Sequence, residues 1–496
     1  MTDIAKKATS ALEDREPVWE YADAPESTNI VKLEPRYGLF IGGEFVDPKS
    51  GSWFETINPA TEGTLAEVAD AGPEDVDLAV RTARKASKDR WRKLPGSERA
   101  KYLYRIARQL QERAREFAVL ETMNGGKPIK ESRDVDLPLA AAHFFYYAGW
   151  ADKLDYAFPN RSPKPIGVAG QIIPWNFPLL MAAWKIAPAL ATGNTVVLKP
   201  AELTPLSSLR LAELALEAGI PEDVVNVVVG PGRVVGQRLV EHPHVAKIGF
   251  TGSTEVGQQV MQGAAGHIKR VTLELGGKSA NVIFEDADLE RAAAAAPYAV
   301  FDNAGQDCCA RSRILVQRSV YDRFVGLLIE ATAAVKVGDP AEEATEMGPL
   351  VSAEHRDKVA SFVDGQPLFQ GDVPDGAGYW FPCTLVEATN DDRVAREEVF
   401  GPVAALIPFT DEADAIRLAN DTPFGLSGSI WTRDGARALR VARAIDTGVL
   451  SINSNSSVRV QTPFGGFKQS GFGRELGMQA LEGYSEVKTV FYSTEP

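Results

Sequence analysis

The chain has 496 residues, 44% hydrophobic and 24% charged, with 43 Gly and 31 Pro; at about 150 residues per domain it is expected to hold two to four packed units, and disordered or fibrous classes are excluded. Lys and Arg total 53 against 67 Asp and Glu, a formal charge of −14 that repels phosphate backbones and anionic lipid at long range, so neither nucleic acid nor membrane is an expected partner. Three cysteines, Cys308, Cys309 and Cys383, are too few and too close for a disulfide framework and point to a reducing, cytoplasmic compartment.

Residues 1–36 are mixed and polar, with Pro17, Pro25 and Pro35, and read as a partly ordered arm that lacks the apolar stretch of a secretory signal. In Phe40-Ile41-Gly42-Gly43-Glu44-Phe45-Val46 two apolar runs flank a double glycine, the pattern of a hairpin. Leu103, Ile106, Ala107, Leu110, Ala114 and Phe117 recur at helical spacing, which predicts one long amphipathic helix ending near Gly125-Gly126. Aromatics, charges and prolines in Tyr146–Pro165 interrupt the pattern. The longest apolar run, Phe177–Ala191, contains Lys185 and falls short of the roughly 20 residues that span a bilayer.

From about residue 165 to 275 β-branched runs alternate with helical stretches: strands at 195–198, 224–229 and 246–251, and a helix at 206–218. A second alternating region runs from Ala280 to about Leu476, with a helix from Leu289 into Asn303 and strands at 314–316 and 403–407. Such alternation signals parallel sheets, and two α/β domains is the economical count.

Four segments carry chemistry. Gly305-Gln306-Asp307-Cys308-Cys309 places a thiol behind a glycine, although an inert buried cysteine is the ordinary reading of such a pair. Glu274 stands in an apolar strand that runs into Gly276-Gly277; buried there it would have a raised pKa and serve as a general base, and on an exposed edge it would do nothing. Asn176, among Pro174, Trp175, Phe177 and Pro178, is either a turn residue or a preset donor for an oxyanion. Phe250-Thr251-Gly252-Ser253-Thr254-Glu255-Val256-Gly257 is a strand ending in a glycine-flanked turn that opens a helix, a place for phosphate. Lys199 and Glu202 follow a strand, where open α/β sheets bind ligands and an acid can hold ribose hydroxyls.

These segments, in this order and spacing from about Phe40 to Val490, resemble the NAD(P)-dependent aldehyde dehydrogenase superfamily, and within it the hydrolytic branch acting on aliphatic and aromatic aldehydes. Leu273-Glu274-Leu275-Gly276-Gly277-Lys278 matches the signature around the family's base, and Gly305-Gln306-Asp307-Cys308 its thiol signature. The resemblance implies a fold of class α/β, with a Rossmann-like cofactor-binding domain (37–145 and 167–274), an α/β catalytic domain (275–478) and a small β bridging element (146–166 and 479–496) that joins a homodimer or homotetramer. It implies Cys308 as nucleophile, Glu274 as base, Asn176 with the Cys308 N–H as oxyanion donors, and Glu475 behind the base.

For the cofactor, NAD with NADP possible, the resemblance implies Ile172, Pro174, Trp175, Lys199, Glu202, Gly232, Gly236, Phe250, Thr251, Gly252, Ser253, Val256, Gly257, Leu275, Gly276, Glu398 and Phe400. Glu202 favours NAD, because its carboxylate would meet a 2′-phosphate with like charge. For the aldehyde it implies Phe177, Met181, Trp184, Asp307 and Phe464. Arg311 stands where the family pattern has Gly and is expected to alter the local helix or loop start. Asp307 is seen among amino-aldehyde enzymes; it is expected to attract a cationic substrate or to raise the thiol pKa. The five His, at 143, 242, 244, 267 and 355, lack catalytic-zinc spacing, so no metal is expected. The competing readings are a CoA-acylating relative, against which Glu274 counts, a silent scaffold, against which the intact Cys308, Glu274 and Asn176 count, and an interaction protein acting through its oligomer surface.

Overall fold

The structure is a computed structural model and describes residues 25–159 and 163–494. Its largest sheet has eight strands in the order Gly471–Phe472, Arg270–Glu274, Val245–Thr251, Val168–Ile172, Thr195–Lys199, Val225–Val227, Leu39–Ile41, Glu44–Val46. The five from Arg270–Glu274 to Val225–Val227 are parallel. The middle strands are buried on both faces, which is why the centre of Thr195–Lys199, Val196-Val197-Leu198, is a continuous apolar run and not an alternation. The expected hairpin closes one edge, Phe40 facing Phe45, with Gly42 and Gly43 at φ of 68° and 85°, where a Cβ would be strained.

The strand order contains one reversal. From Val168–Ile172 the chain adds Thr195–Lys199 and Val225–Val227 on one side, then returns to lay Val245–Thr251 on the other. The loops that leave the carboxyl ends of Val168–Ile172 and Val245–Thr251 therefore part in opposite directions and open a crevice, the place where such sheets bind ligands.

A second sheet runs Phe369–Gln370, Thr384–Glu387, Val403–Phe409, Arg313–Gln317, Ala280–Ile283, Gly428–Trp431, Ser451–Ile452, parallel apart from its first strand. Each sheet has its own hydrophobic core, one built around residues such as Leu103, Leu198 and Ile248 and the other around Ile283, Leu315 and Leu406. A three-stranded sheet of Arg36–Tyr37, Gly63–Ala69 and Trp53–Asn58 is not among the elements that the sequence predicts.

The single long helix expected before Gly126 is two, Gly96–Glu112 and Ala114–Gly125. The break is at Arg113, whose backbone (φ −107°, ψ 20°) leaves the helical range while its guanidinium holds Glu116. Gly126 then closes the second helix in the left-handed conformation, φ 75°. Tyr146–Ala151 ends the helix Leu137–Ala151, whereas Lys164–Pro165 pairs antiparallel with Ser485–Glu486. Of the N-terminal arm, residues 1–24 lie outside the described residues; Thr28–Ile30 is a 3₁₀ turn and Arg36–Tyr37 joins the small sheet. Phe177–Ala191 folds as the buried helix Pro178–Ala191, and among the described residues no helix is long and apolar enough to cross a membrane.

Candidate active site

Cys308 sits on the connection between the helix Leu289–Phe301 and the strand Arg313–Gln317. Three consecutive residues there are left-handed, Asn303 (φ 49°), Ala304 (φ 55°) and Gly305 (φ 69°), a conformation that costs a non-glycine residue about 1–3 kcal/mol. Surrounding bonds impose it. The Asn303 N–H donates to both Glu131 oxygens (3.1 and 3.2 Å) and its side chain to the Asn176 carbonyl (2.9 Å). Gln306 Nε2 donates to the Asn303 carbonyl (2.9 Å), and Gln306 Oε1 accepts the Val351 N–H (2.9 Å). At Gly305 a Cβ would lie 2.3 Å from the Gly401 carbonyl oxygen. The turn that aims the thiol is thus over-determined.

Cys308, Asn176 and Glu274 line one cavity of about 890 Å³. Asn176 Nδ2 donates to the carbonyl of Gln306 (2.8 Å), two residues before Cys308, which ties the amide to the thiol turn and uses one of its two N–H groups. Glu274 ends its strand 4% exposed, and neither carboxylate oxygen has a partner among the described residues. Burial, with Glu475 nearby, pushes its carboxyl well above the usual carboxylate range. The neighbouring Cys309 thiol, burial and the Asp307 carboxylate push the Cys308 thiol up. Cys309 lines the same cavity, whereas Cys383 is buried in the second core against Met347.

Phe177, Met181 and Trp184 fall at spacings of four and three on one face around the start of the helix Pro178–Ala191, and all three face the cavity. Phe464 also lines it and meets Trp184 edge to face, centroids 5.2 Å apart. Asp307 is there too, its Oδ1 accepting the Cys309 N–H at 2.9 Å; burial raises its pKa. Glu475 is not on the cavity wall. It is held behind Glu274 by Lys185 (2.7 and 2.8 Å) and the Thr272 hydroxyl (3.0 Å), with its backbone paired to Phe464.

On the crevice side Pro174, Trp175, Thr251, Gly252, Ser253, Leu275, Gly276, Glu398 and Phe400 line the same cavity. Beyond it, Lys199 Nζ and the Gly232 N–H both reach Glu202, at 2.6 and 2.9 Å. The helix Thr254–Ala265 starts here, its Ser253 hydroxyl capping the Val256 N–H at 3.3 Å, with Val256 43% exposed. Gly252 lies on the Phe250 ring and Gly257 on Leu275, where Cβ atoms would come to 2.6 and 2.4 Å. Ile172 and Gly236 pack on each other beneath the crevice. Glu398 accepts the Gly277 N–H (2.8 Å), and a Cβ on Gly276 would meet it at 2.4 Å; burial raises it to about 7. A carboxylate at each end, with a helix N-terminus approached through glycine between them, is a donor and acceptor set that fits two riboses joined by a pyrophosphate.

Sequence reasoning missed His355, whose Nε2 pairs with the Phe400 carbonyl (2.7 Å) and whose ring meets Trp175 (centroids 5.1 Å); nothing in its neighbourhood in the chain marks it. Lys185 did carry a signal, a lysine inside the longest apolar run. Arg311 does not open a helix: residues 310–312 have no regular secondary structure and lead into the strand at Arg313, and its side chain is buried.

The sequence profile of the aldehyde dehydrogenase family matches residues 45–490. The chain is 45% identical over 480 residues to an aldehyde dehydrogenase of Aspergillus niger, covering 94% of this chain and 96% of that one. It is 43% identical to the betaine aldehyde dehydrogenase of Bacillus subtilis (strain 168), over 92% and 98% of the two chains. Among solved structures, that of a Bacillus cereus aldehyde dehydrogenase in complex with NAD+ superposes with a TM-score of 0.90 at 41% identity, over 94% of this chain and 100% of that chain. With the match running through both sheets and every segment of the cavity, this chain belongs to the aldehyde dehydrogenase family.

Proposed function

We propose that the protein oxidises an aldehyde to the carboxylic acid with NAD as acceptor, through a covalent intermediate on Cys308. The observation that carries this reading is that Cys308, Asn176 and Glu274, distant in the chain, open into one cavity. The Cys308 thiolate adds to the aldehyde carbon, and the C=O electron pair moves onto oxygen. That oxyanion is received by the Asn176 amide and the Cys308 N–H, donors of a kind worth about 2.7–4 kcal/mol each. When bound, the nicotinamide supplies the acceptor for the two electrons that leave with the C–H hydrogen. The crevice residues hold it, Glu202 and Glu398 at the riboses and the Gly252–Gly257 turn at the pyrophosphate.

The product of that step is a thioester on Cys308. Glu274 takes a proton from water, the water oxygen bonds to the thioester carbon, the C–S bond breaks, and the proton passes from Glu274 to the departing sulfur, so the acid leaves with Cys308 again a thiol and Glu274 again a carboxylate. A buried carboxylate with a raised pKa and unpartnered oxygens suits this task, and a relative that passes its acyl group to CoA does not need it. Glu202, already holding Lys199, favours NAD over NADP by charge. The aromatic and apolar wall suits aliphatic or aromatic aldehydes, and Asp307 extends the candidates to amino-aldehydes.

The proposed domains are 37–145 with 167–274, 275–478, and a bridging element of 146–166 with 479–496; against those bounds Gly471–Phe472 is a strand of the first sheet and Tyr146–Ala151 belongs to the helix Leu137–Ala151. A dimer or tetramer joined through that element is supported by its short ladder and by Val490, Phe491 and Tyr492, which are 75%, 94% and 86% exposed on one chain. Three free cysteines support a reducing, cytoplasmic setting. The test is NADH formation from acetaldehyde, hexanal, benzaldehyde and 4-aminobutanal without CoA. Turnover that Cys308→Ala abolishes is expected; a CoA requirement, or equal rates in Cys308→Ala, would overturn the reading.

A further inference from the structure

Arg311 is 2% exposed, yet among the described residues no carboxylate forms an ion pair with it. Every bond of its guanidinium goes to a neutral oxygen. Nη1 donates to the Cys309 carbonyl, on the turn that carries the nucleophile. Nε donates to the Ser429 hydroxyl (3.1 Å), at the end of the strand Gly428–Trp431. Nη2 donates to the Ser457 hydroxyl (2.6 Å) and the Asn455 carbonyl (3.3 Å), with the Gly428 carbonyl at 3.4 Å.

Residues 453–458 have no regular secondary structure, and all six line the cavity that holds Cys308. As Asn-Ser-Asn-Ser-Ser-Val they bring little apolar surface to hold themselves in place. Their other bonds go to segments other than the thiol turn or stay local: Asn455 Nδ2 to the Ala295 carbonyl (3.0 Å), Asn453 to Thr432 (3.0 and 3.1 Å) and, through its N–H, to the Ile430 carbonyl (2.8 Å), Ser457 to Ser427 (3.0 Å), the Ser456 carbonyl to the Ser451 hydroxyl and the Ser456 N–H to the Ser454 hydroxyl (3.2 Å). Through hydrogen bonds Arg311 reaches the nucleophile turn and this wall together. A planar fork does this because its donors point in fixed and divergent directions; a lysine presents one compact head.

We propose that Arg311 is a specificity-positioning residue: by locking the 453–458 wall to the turn bearing Cys308, it fixes how much room an aldehyde has beside the thiol. The inference rests on the aldehyde-oxidation reading above. Among the described residues the buried cation has no direct ion pair; five neutral acceptors on three segments meet its donors, and the nearby Asp307 carboxylate supplies opposite charge.

The test uses Arg311→Lys, with Ser457→Ala as a second variant that cuts the same link from the wall side should the first not fold. Two readouts are taken on each: backbone amide exchange across 453–458, and the ratio of kcat/KM for benzaldehyde to that for acetaldehyde. In Arg311→Lys we expect exchange in 453–458 to quicken by about tenfold while the strand Thr195–Lys199 is unaffected. The ratio is expected to move by about tenfold in either direction, as one or two methylenes of misfit would move it, and Ser457→Ala to shift both readouts less in the same sense. Parent-like exchange in a folded variant, or both aldehydes slowed by one common factor, would overturn the proposal. A parent protein that oxidises neither aldehyde would instead refute the underlying reading, and the exchange measurement would still judge the clamp.

Discussion

Lys185 and Glu475, 290 positions apart, form an ion pair with both carboxylate oxygens within 2.8 Å of Nζ, buried directly behind Glu274. The two charges act on Glu274 with opposite sign: Glu475 raises its pKa and Lys185 lowers it. Removing them one at a time therefore moves the Glu274 pKa in opposite directions.

Glu475→Gln is expected to shift the acid limb of the kcat profile to lower pH, and Lys185→Met to shift it to higher pH. The sign follows from Glu274 having to be ionised to take a proton from water. Each variant also leaves an uncompensated buried charge, a loss of about 3–5 kcal/mol in stability. The check is kcat against pH beside thermal melting; two limbs moving the same way would refute the placement of Glu475 behind the base.

Glu202 accepts from both Lys199 and the Gly232 N–H. In Glu202→Gln the like-charge repulsion of a 2′-phosphate disappears and a charged acceptor for ribose hydroxyls goes with it. KM for NAD is expected to rise about tenfold, and the preference over NADP to fall by a similar factor. Steady-state kinetics with both cofactors measures this, and an unaltered preference would remove Glu202 from the ribose site.

His143 is fully buried against Trp184, and neither ring nitrogen has a hydrogen-bond partner among the described residues. Burial lowers its pKa from 6.5 to about 3. Folded protein keeps the ring neutral while unfolded chain protonates it, so the stability present above pH 6.5 is lost progressively as the pH falls toward 3. His143→Phe removes that loss. At about pH 5 the variant should gain about 2 kcal/mol on the parent compared with its standing at about pH 8. Melting at the two pH values tests it, the contrary result being an identical difference at both.

Much of this was legible in the chain. The alternation of β-branched runs and helical stretches announced parallel sheets because strands buried on both faces need continuous apolar residues. Glu274, Asn176 and Cys308 stood out because each breaks an apolar or glycine-rich context with one reactive group. What stayed hidden depends on contacts between distant segments. Lys185 looked like a flaw in an apolar run until Glu475 met it. Arg311 reads as a local disturbance until the fold brings it to the polar loop 453–458, a segment without any motif of its own. The break at Arg113 is a change of backbone dihedrals at one polar residue, which apolar spacing does not register.

The central claim is that the aldehyde carbon becomes bonded to the sulfur of Cys308 and waits there for Glu274. Glu274→Gln, mixed with hexanal and NAD and quenched within one turnover, should release one equivalent of NADH and then stall. Peptide mass analysis should find a single acyl group on Cys308, with Cys309 unmodified. An acyl group on Cys309, or NADH released while no peptide carries an acyl group, would contradict the account.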